Sequence, residues 1–294
     1  VENRRLGQEE KGRSTSLADS GLAIASAFCA MEFAGTAAVE ESVSRAHRLM
    51  VVAAHPDDET LGAAWWMSQA TEVMVVYATD GAPEHRQFVP DGAPFDRQAY
   101  ADMRLQEASA ALYLAGVRQA EALGIPDLEA SYYMADLARL LCARIKEFRP
   151  DVVVSHAYEG GHPDHDAVAF AAAWARRRMG PEAPAHWEMA LYHGGPGHLV
   201  RGQFISGGDS IVLPSAILER KRRMISCFTS QKVVIDPFTL LERECYRVAP
   251  KYRFELPPHD GPLWYERLAM PMDRPTWRAL VAEAEAALKP RWVT

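Results

Sequence analysis

The chain is poor in several features that would have placed it at once. Cysteine is scarce: Cys29, Cys142, Cys227 and Cys245 are the only four in 294 residues. They form no C-x-x-C pair and no cluster, so neither a zinc-thiolate site nor a disulfide framework is offered, and a reducing cytoplasm is the expected compartment. Long apolar runs are missing too. No stretch approaches the ~20 residues that cross a bilayer, so no integral membrane segment is expected. Residues 22–31 form an apolar run behind Arg4, Arg5, Lys11 and Arg13 that could act as a signal-peptide core. Glu2, Glu9, Glu10 and Asp19 dilute its basic flank and Glu32 interrupts it, which makes secretion the lesser expectation.

Positive charge is also short. The net charge of −7 argues against a nucleic-acid partner, which would need clustered Lys and Arg. The two basic clusters, Arg176-Arg177-Arg178 and Arg220-Lys221-Arg222-Arg223, lie in charged helical stretches and read as solvated faces. After the first strand no G-x-G-x-x-G turn appears; Gly62 stands alone, so a dinucleotide-binding protein is disfavoured. With 48% hydrophobic and 24% charged residues, the chain nevertheless has the composition of a folded globule rather than of a disordered one.

Residues 1–47 read as a weakly structured N-terminal extension and residues 48–294 as a single domain. Residues 49–54, 73–78 and 152–156 are short apolar runs without alternation, the pattern of strands buried on both faces of a parallel sheet. Helical stretches intervene: one from about Thr60, one over 98–114, and an amphipathic one over 134–148 that stops before Pro150. Another is expected over 166–178. A short strand is expected at 122–125, and residues 82–96 form an irregular loop. Alternating strands and helices imply right-handed crossovers. The expected fold class is therefore α/β, a Rossmann-like, mainly parallel sheet flanked by helices. The C-terminal third decorates it.

Two segments carry chemistry. His55-x-x-Asp58 and His162-x-x-His165 each follow a buried strand and precede a helix, where open α/β sheets bind ligands. Together they hold three histidines and three aspartates. A catalytic zinc site takes three His or carboxylate ligands and leaves a fourth position for water. One carboxylate beside that water can take its proton, and a second acid can protonate a leaving amine. Either segment alone is better read as helix capping, with Asp57, Asp58 or Asp166 as N-cap; the repetition at two such junctions reverses the balance and favours a metal hydrolase.

Ala54-His55-Pro56-Asp57-Asp58-Glu59 with Gly161-His162-Pro163-Asp164-His165 resembles the LmbE/PIG-L family of zinc-dependent N-deacetylases. Thr79-Asp80-Gly81, Arg104-x-x-Glu107, and Lys221 followed by Ser230-Gln231 support the resemblance, which covers about residues 48–265. It implies zinc hydrolysis of an N-acetyl amide on an amino sugar or glycoconjugate, with such a small molecule as partner. His55, Asp58 and His165 match the metal ligands, and Asp57 the general base. His162 matches the residue that stabilises the oxyanion and protonates the amine, and Asp164 the carboxylate that tunes it. Asp80 and Arg104 are candidates for sugar contacts, although Arg104 could equally pair with Glu107 on a helix surface. Two His and one carboxylate also suit Fe2+. The alternatives are an amidase for a larger thiol- or sugar-conjugate amide, and a non-catalytic sugar-binding relative.

The chain departs from the pattern twice. Phe228 stands where many relatives carry histidine two residues before Ser-Gln, and Gly160 where some carry tyrosine. Trp65 and Trp66 are expected in the core. His47, His85, His186, His193, His198 and His259 lack ligand spacing and are expected at the surface or locally satisfied. The 82–96 loop should border the pocket, with Phe88 and Phe95 available for stacking.

Overall fold

In the computed structural model residues 46–268 and 270–289 are described. The apolar run at 22–31, Cys29 and nearly all of the expected extension lie outside them. Five parallel strands form the frame: β1 (Arg48–Ala53), β2 (Glu72–Pro83), β3 (Gln119–Asp127), β4 (Val152–His156) and β5 (Ala185–Met189). Helices α1 (Asp58–Gly62) and α2 (Ala64–Gln69) connect β1 to β2. Helix α3 (Arg97–Ala115) connects β2 to β3, α4 (Met134–Phe148) leads to β4, and α5 (Pro163–Met179) leads to β5. A hairpin of β6 (Tyr192–Gly194) and β7 (Leu199–Arg201) follows, then β8 (Asp209–Val212), α6 (Ser215–Ile225), α7 (Lys232–Ile235) and β9 (Arg243–Val248). The last described helices are α8 (Trp264–Arg267) and α9 (Arg274–Leu288).

The main sheet has seven strands in the order β3-β2-β1-β4-β5-β9-β8. Val51 of β1 pairs with Val75 on one side and Val154 on the other, whereas β9 runs antiparallel to both β5 and β8. Why β1 lacks alternation is now plain. Leu49, Val51 and Ala53 enter the core on one face, and Met50, Val52 and Ala54 enter the core on the other. The order of strand addition reverses at β1, since β2 and β3 lie to one side and β4 and β5 to the other. The carboxyl ends of β1 and β4 thus flank the crevice of a topological switch point.

Several expectations need adjustment. β3 spans Gln119–Asp127 rather than 122–125, because it is an edge strand with a mixed exposure that does not read as a buried run. Helix α5 starts at Pro163 rather than Asp166: proline suits a first helical position, and the His162 ring accepts the N–H of Asp164 at 3.2 Å as the cap. Lys221 is buried, 1% exposed, with Nζ 2.6 Å from Glu244 and 2.7 Å from the Leu61 carbonyl. One member of that basic cluster therefore serves the interior, because the amphipathic turn of α6 points it inward. Arg176, Arg177 and Arg178 are exposed, as expected. Trp65 and Trp66 are both in the core. Of the histidines set aside, His198 is exposed, whereas His186 is buried and bonded to the Ser155 hydroxyl at 2.8 Å.

Candidate active site

All four parallel strands around the switch point deliver an acid or a histidine at their carboxyl ends. β1 leads to His55, β2 carries Asp80, β3 ends in Asp127 and β4 ends in His156. The turn after β1 is local. The backbone N–H of His55 donates to Asp58 Oδ2 at 2.8 Å, so the carboxylate folds back over the turn. Asp57 takes the N-cap position of α1 without a side-chain cap bond, which leaves its carboxylate free to face the crevice.

Asp58 Oδ2 is the focus of the cluster. His55 Nδ1 lies 3.3 Å from it, His165 Nε2 3.4 Å and His156 Nε2 3.2 Å. Two of the expected ligands, His55 and His165, thus converge on the carboxylate of the third, Asp58, and His156 joins them; its ring stacks on His165 at 3.9 Å. On its other edge His55 turns Nε2 toward Asp127, at 3.0 Å, and Asp164, at 3.2 Å. Burial resists a charge on the His55 ring, but Asp127 and Asp58 outweigh it and hold the pKa well above its ordinary value. Burial likewise opposes ionising Asp58, and the histidines around it prevail, holding its carboxyl well below the usual range. Burial, then His156, pushes His165 down to about 3.

The donor set fits a divalent cation. His165 Nε2 is buried without a hydrogen-bond partner, and an imidazole kept neutral with an unsatisfied nitrogen costs stability unless something binds it. Three carboxylates, Asp58, Asp127 and Asp164, surround His55, an excess of negative charge that a metal ion would balance.

Asp57 and His162 both line the adjoining cavity of about 370 Å³. Arg104 donates from Nη2 to Asp57 at 3.0 Å and from Nη1 to the Gly81 carbonyl at 2.7 Å. Buried at 3% exposure, it is no helix-surface partner of Glu107, which accepts from Thr229 and Ser230 instead. Burial raises Asp57 to about 6 against the pull of Arg104. Burial, reinforced by His55, lowers His162 to about 3. Asp164 addresses His162 mainly through its backbone N–H. Its carboxylate is 4.0 Å from that ring and accepts instead from the backbone of Leu128, at 2.7 Å, and Ala130, at 3.0 Å. Those bonds hold Leu128 at φ 71°, a conformation uncommon outside glycine.

Asp80 is not brought into the cavity lining: it accepts from Arg97 at 2.7 Å and from the Ala82 N–H at 3.0 Å. The 82–96 loop does border the cavity, through Pro83, Phe88 and Pro90, while Phe95 is 89% exposed and lies outside the lining. Gln231, singled out only as part of the Ser-Gln pair, lines the cavity, whereas Asp127, His156, Tyr100, Tyr192 and Arg201 were not singled out in the sequence. For Asp127 and His156 a signal existed, namely polar residues at the ends of strands; for the others none did. The departures are packing matters. Phe228 is buried in the core. At Gly160, with φ 68°, a Cβ would meet Leu263 at 2.7 Å, so tyrosine has no room there. Gly161 passes so close to the Tyr192 carbonyl that a Cβ would sit 2.1 Å from it.

Comparison with known proteins agrees with this geometry. The family described as PIG-L, GlcNAc-PI de-N-acetylase, matches residues 50–175. A Mycobacterium sp. (strain KMS) 1D-myo-inositol 2-acetamido-2-deoxy-alpha-D-glucopyranoside deacetylase is 31% identical over 178 residues, covering 51% of this chain and 56% of that protein. The chain thus spans little more than half the length of that curated relative. Among solved structures, the N,N'-diacetylchitobiose deacetylase of Pyrococcus horikoshii superposes with a TM-score of 0.54 at 18% identity, over 70% of this chain and 85% of that one. The 4-carboxy-2-hydroxymuconate hydratase GalB of Pseudomonas putida also superposes, at 0.51 and 16%, over 70% and 98%. The fold therefore hosts more than one reaction, and the site has to decide between them. The match to the PIG-L family model spans residues 50–175, the segment that holds both metal-type motifs.

Proposed function

We propose that the protein is a metal-dependent N-deacetylase that hydrolyses the N-acetyl amide of an amino sugar or glycoconjugate to acetate and a free amine. The observation that carries this reading is the convergence of His55, His165 and Asp58 beside Asp57 and His162, with the last two facing one cavity. The curated relatives are named as deacetylases of an acetamido sugar. His55, Asp58 and His165 would hold the ion, zinc being the metal that this donor set most often takes and Fe2+ the other that suits it. When bound, the metal supplies Lewis acidity, polarising the amide carbonyl and acidifying a water.

The protein's own groups do the rest. Asp57, raised to about 6, is ionised near neutrality yet basic enough to take the proton of the attacking water. Arg104 holds its carboxylate in place. His162 accepts the Asp164 N–H at Nδ1, so its neutral ring carries hydrogen on Nε2. That N–H can donate to the oxyanion as the tetrahedral centre forms. The amine departs with the proton that Asp57 took. The resemblance assigns amine protonation to His162, but the occupied Nδ1 favours Asp57 for it.

Protein reconstituted with zinc should release acetate and amine from N-acetylglucosaminides. His55→Ala, Asp58→Ala and His165→Ala should each lower bound metal by elemental analysis and abolish release. Full occupancy in all three variants, or no release from any N-acetylated sugar, would overturn the assignment.

A further inference from the structure

Of the three expected ligands, His165 has the least to hold it. Asp58 is fixed by the His55 N–H at 2.8 Å, and the His55 ring has a carboxylate at each nitrogen. A histidine that binds a metal usually donates its other ring N–H to a carboxylate or carbonyl, and that bond sets the orientation of the ring. Among the described residues no hydrogen bond orients the His165 ring, and its Nε2 is buried without a partner, 3.4 Å from Asp58 Oδ2. It has a stacked neighbour instead. The His156 ring lies nearly parallel to it, at 15° with 3.9 Å between centroids, whereas His162, His55 and Tyr192 meet it at 40° to 53°.

His156 is itself pinned by the sheet. β1 and β4 run in register with Val52 beside Ser155, so β4 ends in His156 where β1 runs out. The next amide of the chain, the Ala54 N–H, donates to His156 Nε2 at 2.8 Å. The Nε2, Asp58 and His165 ligand atoms fall within 4.8 Å of one another, close enough to share an ion. A neutral imidazole nitrogen accepts through one lone pair, however, and at Nε2 that pair is spent on Ala54. We infer that His156 is a positioning residue of the metal centre: tethered to β1 through Nε2, it aligns His165 for the ion by stacking, and it is not itself a ligand. This rests on the reading of His55, Asp58 and His165 as the ligands. The ring has two separable properties. Its acceptor keeps a buried amide paired, which supports the fold, and its face keeps His165 aligned, which supports metal affinity.

The test measures zinc affinity by chelator competition, the histidines at bound zinc by X-ray absorption, and denaturant unfolding of the metal-free full chain. His156→Gln keeps an acceptor for the Ala54 N–H and removes the stacking face. It should weaken zinc binding by about 10- to 100-fold, the usual effect of losing an orienting partner. Its unfolding midpoint should stay close to the parent's, and both proteins should show two histidines at the metal, His55 and His165. His156→Phe keeps the face and removes the acceptor. It should recover most of the zinc affinity, while the metal-free protein unfolds at lower denaturant because a buried amide is left unpaired. Affinity thus follows the face and stability the acceptor, whereas a merely structural residue would move the two together. Parental affinity in the Gln variant overturns the inference, and so does a folded Phe variant that binds zinc no more tightly than the Gln variant. A parent with three histidines at the metal and a Gln variant with two would make His156 a ligand, which also overturns it. Should the Phe variant fail to fold, affinity and histidine count in the Gln variant decide alone. Zinc binding as expected, with no acetate released from any N-acetylated sugar, removes deacetylation and leaves the role of His156 standing. A parent that binds no zinc overturns both.

Discussion

Adjacent aspartates take different tasks because one peptide unit turns them to opposite sides of the same strand end. Asp58 faces the histidines and is held ionised by them. Asp57 faces the cavity, and its burial beside Arg104 leaves it a basic carboxylate. Replacing Asp57 by Asn retains size but cannot accept the proton of a water. We expect near-normal zinc content and amine release lower by about two to four orders of magnitude, whereas Asp58→Asn should lose metal. Elemental analysis beside a rate assay decides it, since a metal-free Asp57→Asn with a loaded Asp58→Asn would exchange the two roles. Arg104 illustrates what spacing conceals. With Glu107 it stands at i,i+3, a surface-pair signature, yet both residues face inward to different partners.

Short elements need outside support, and α1 is the clearest case. It has only five residues, Asp58–Gly62, far below the length at which a helix holds itself in water. Support arrives from β9 and α6. Glu244 accepts the N–H groups of Ala64 and Trp65 at 3.2 and 2.9 Å, while Lys221 caps the Leu61 carbonyl and pairs with Glu244. The start of α2 and the end of α1 are thus fastened by residues about 160 to 180 positions away. Lys221→Met should leave Glu244 buried without its cation, costing about 3–5 kcal/mol, read by chemical denaturation. A loss below about 1 kcal/mol would mean that the pair contributes little to the junction.

For the molecule as a whole, buried histidines make stability dependent on pH. His186 joins β5 to β4 through Ser155 and, chiefly through burial, has its pKa lowered to about 3. Unfolded, the ring titrates near 6.5. Between these values the unfolded chain binds a proton that the folded chain does not, so this residue's contribution is present above pH 6.5 and is lost as pH falls toward 3. His186→Gln should flatten the fall in stability between about pH 6 and pH 4 by up to about 1.4 kcal/mol per pH unit. Denaturant midpoints measured across that range check the sign, and a steeper fall in the variant would refute it.

Much of the fold was legible because its signals are local. β1, the core of β2 and β4 are apolar on both faces, and only a sheet covered on both sides asks for that. The site motifs were legible for the same reason: His55 to Asp58 and His162 to His165 each close within one turn, so spacing alone places their side chains together. Other features were decided only when the strands took their neighbours. Asp127 and His156 reach His55 and Asp58 because β3, β2, β1 and β4 lie side by side in register, and no spacing along the chain encodes that. Asp80 pairs with Arg97, seventeen positions on, and lies outside the cavity lining. The cavity wall from the last third of the chain is the furthest from view, since Val233, Val234, Phe238, Trp264, Leu268 and Met270 lie far along the chain from both motifs. The sequence determined a buried parallel sheet and two strand-end motifs because burial pattern and turn geometry act over a few residues. What the cavity can accommodate was decided by tertiary structure, because its walls meet only after the chain has returned across the sheet.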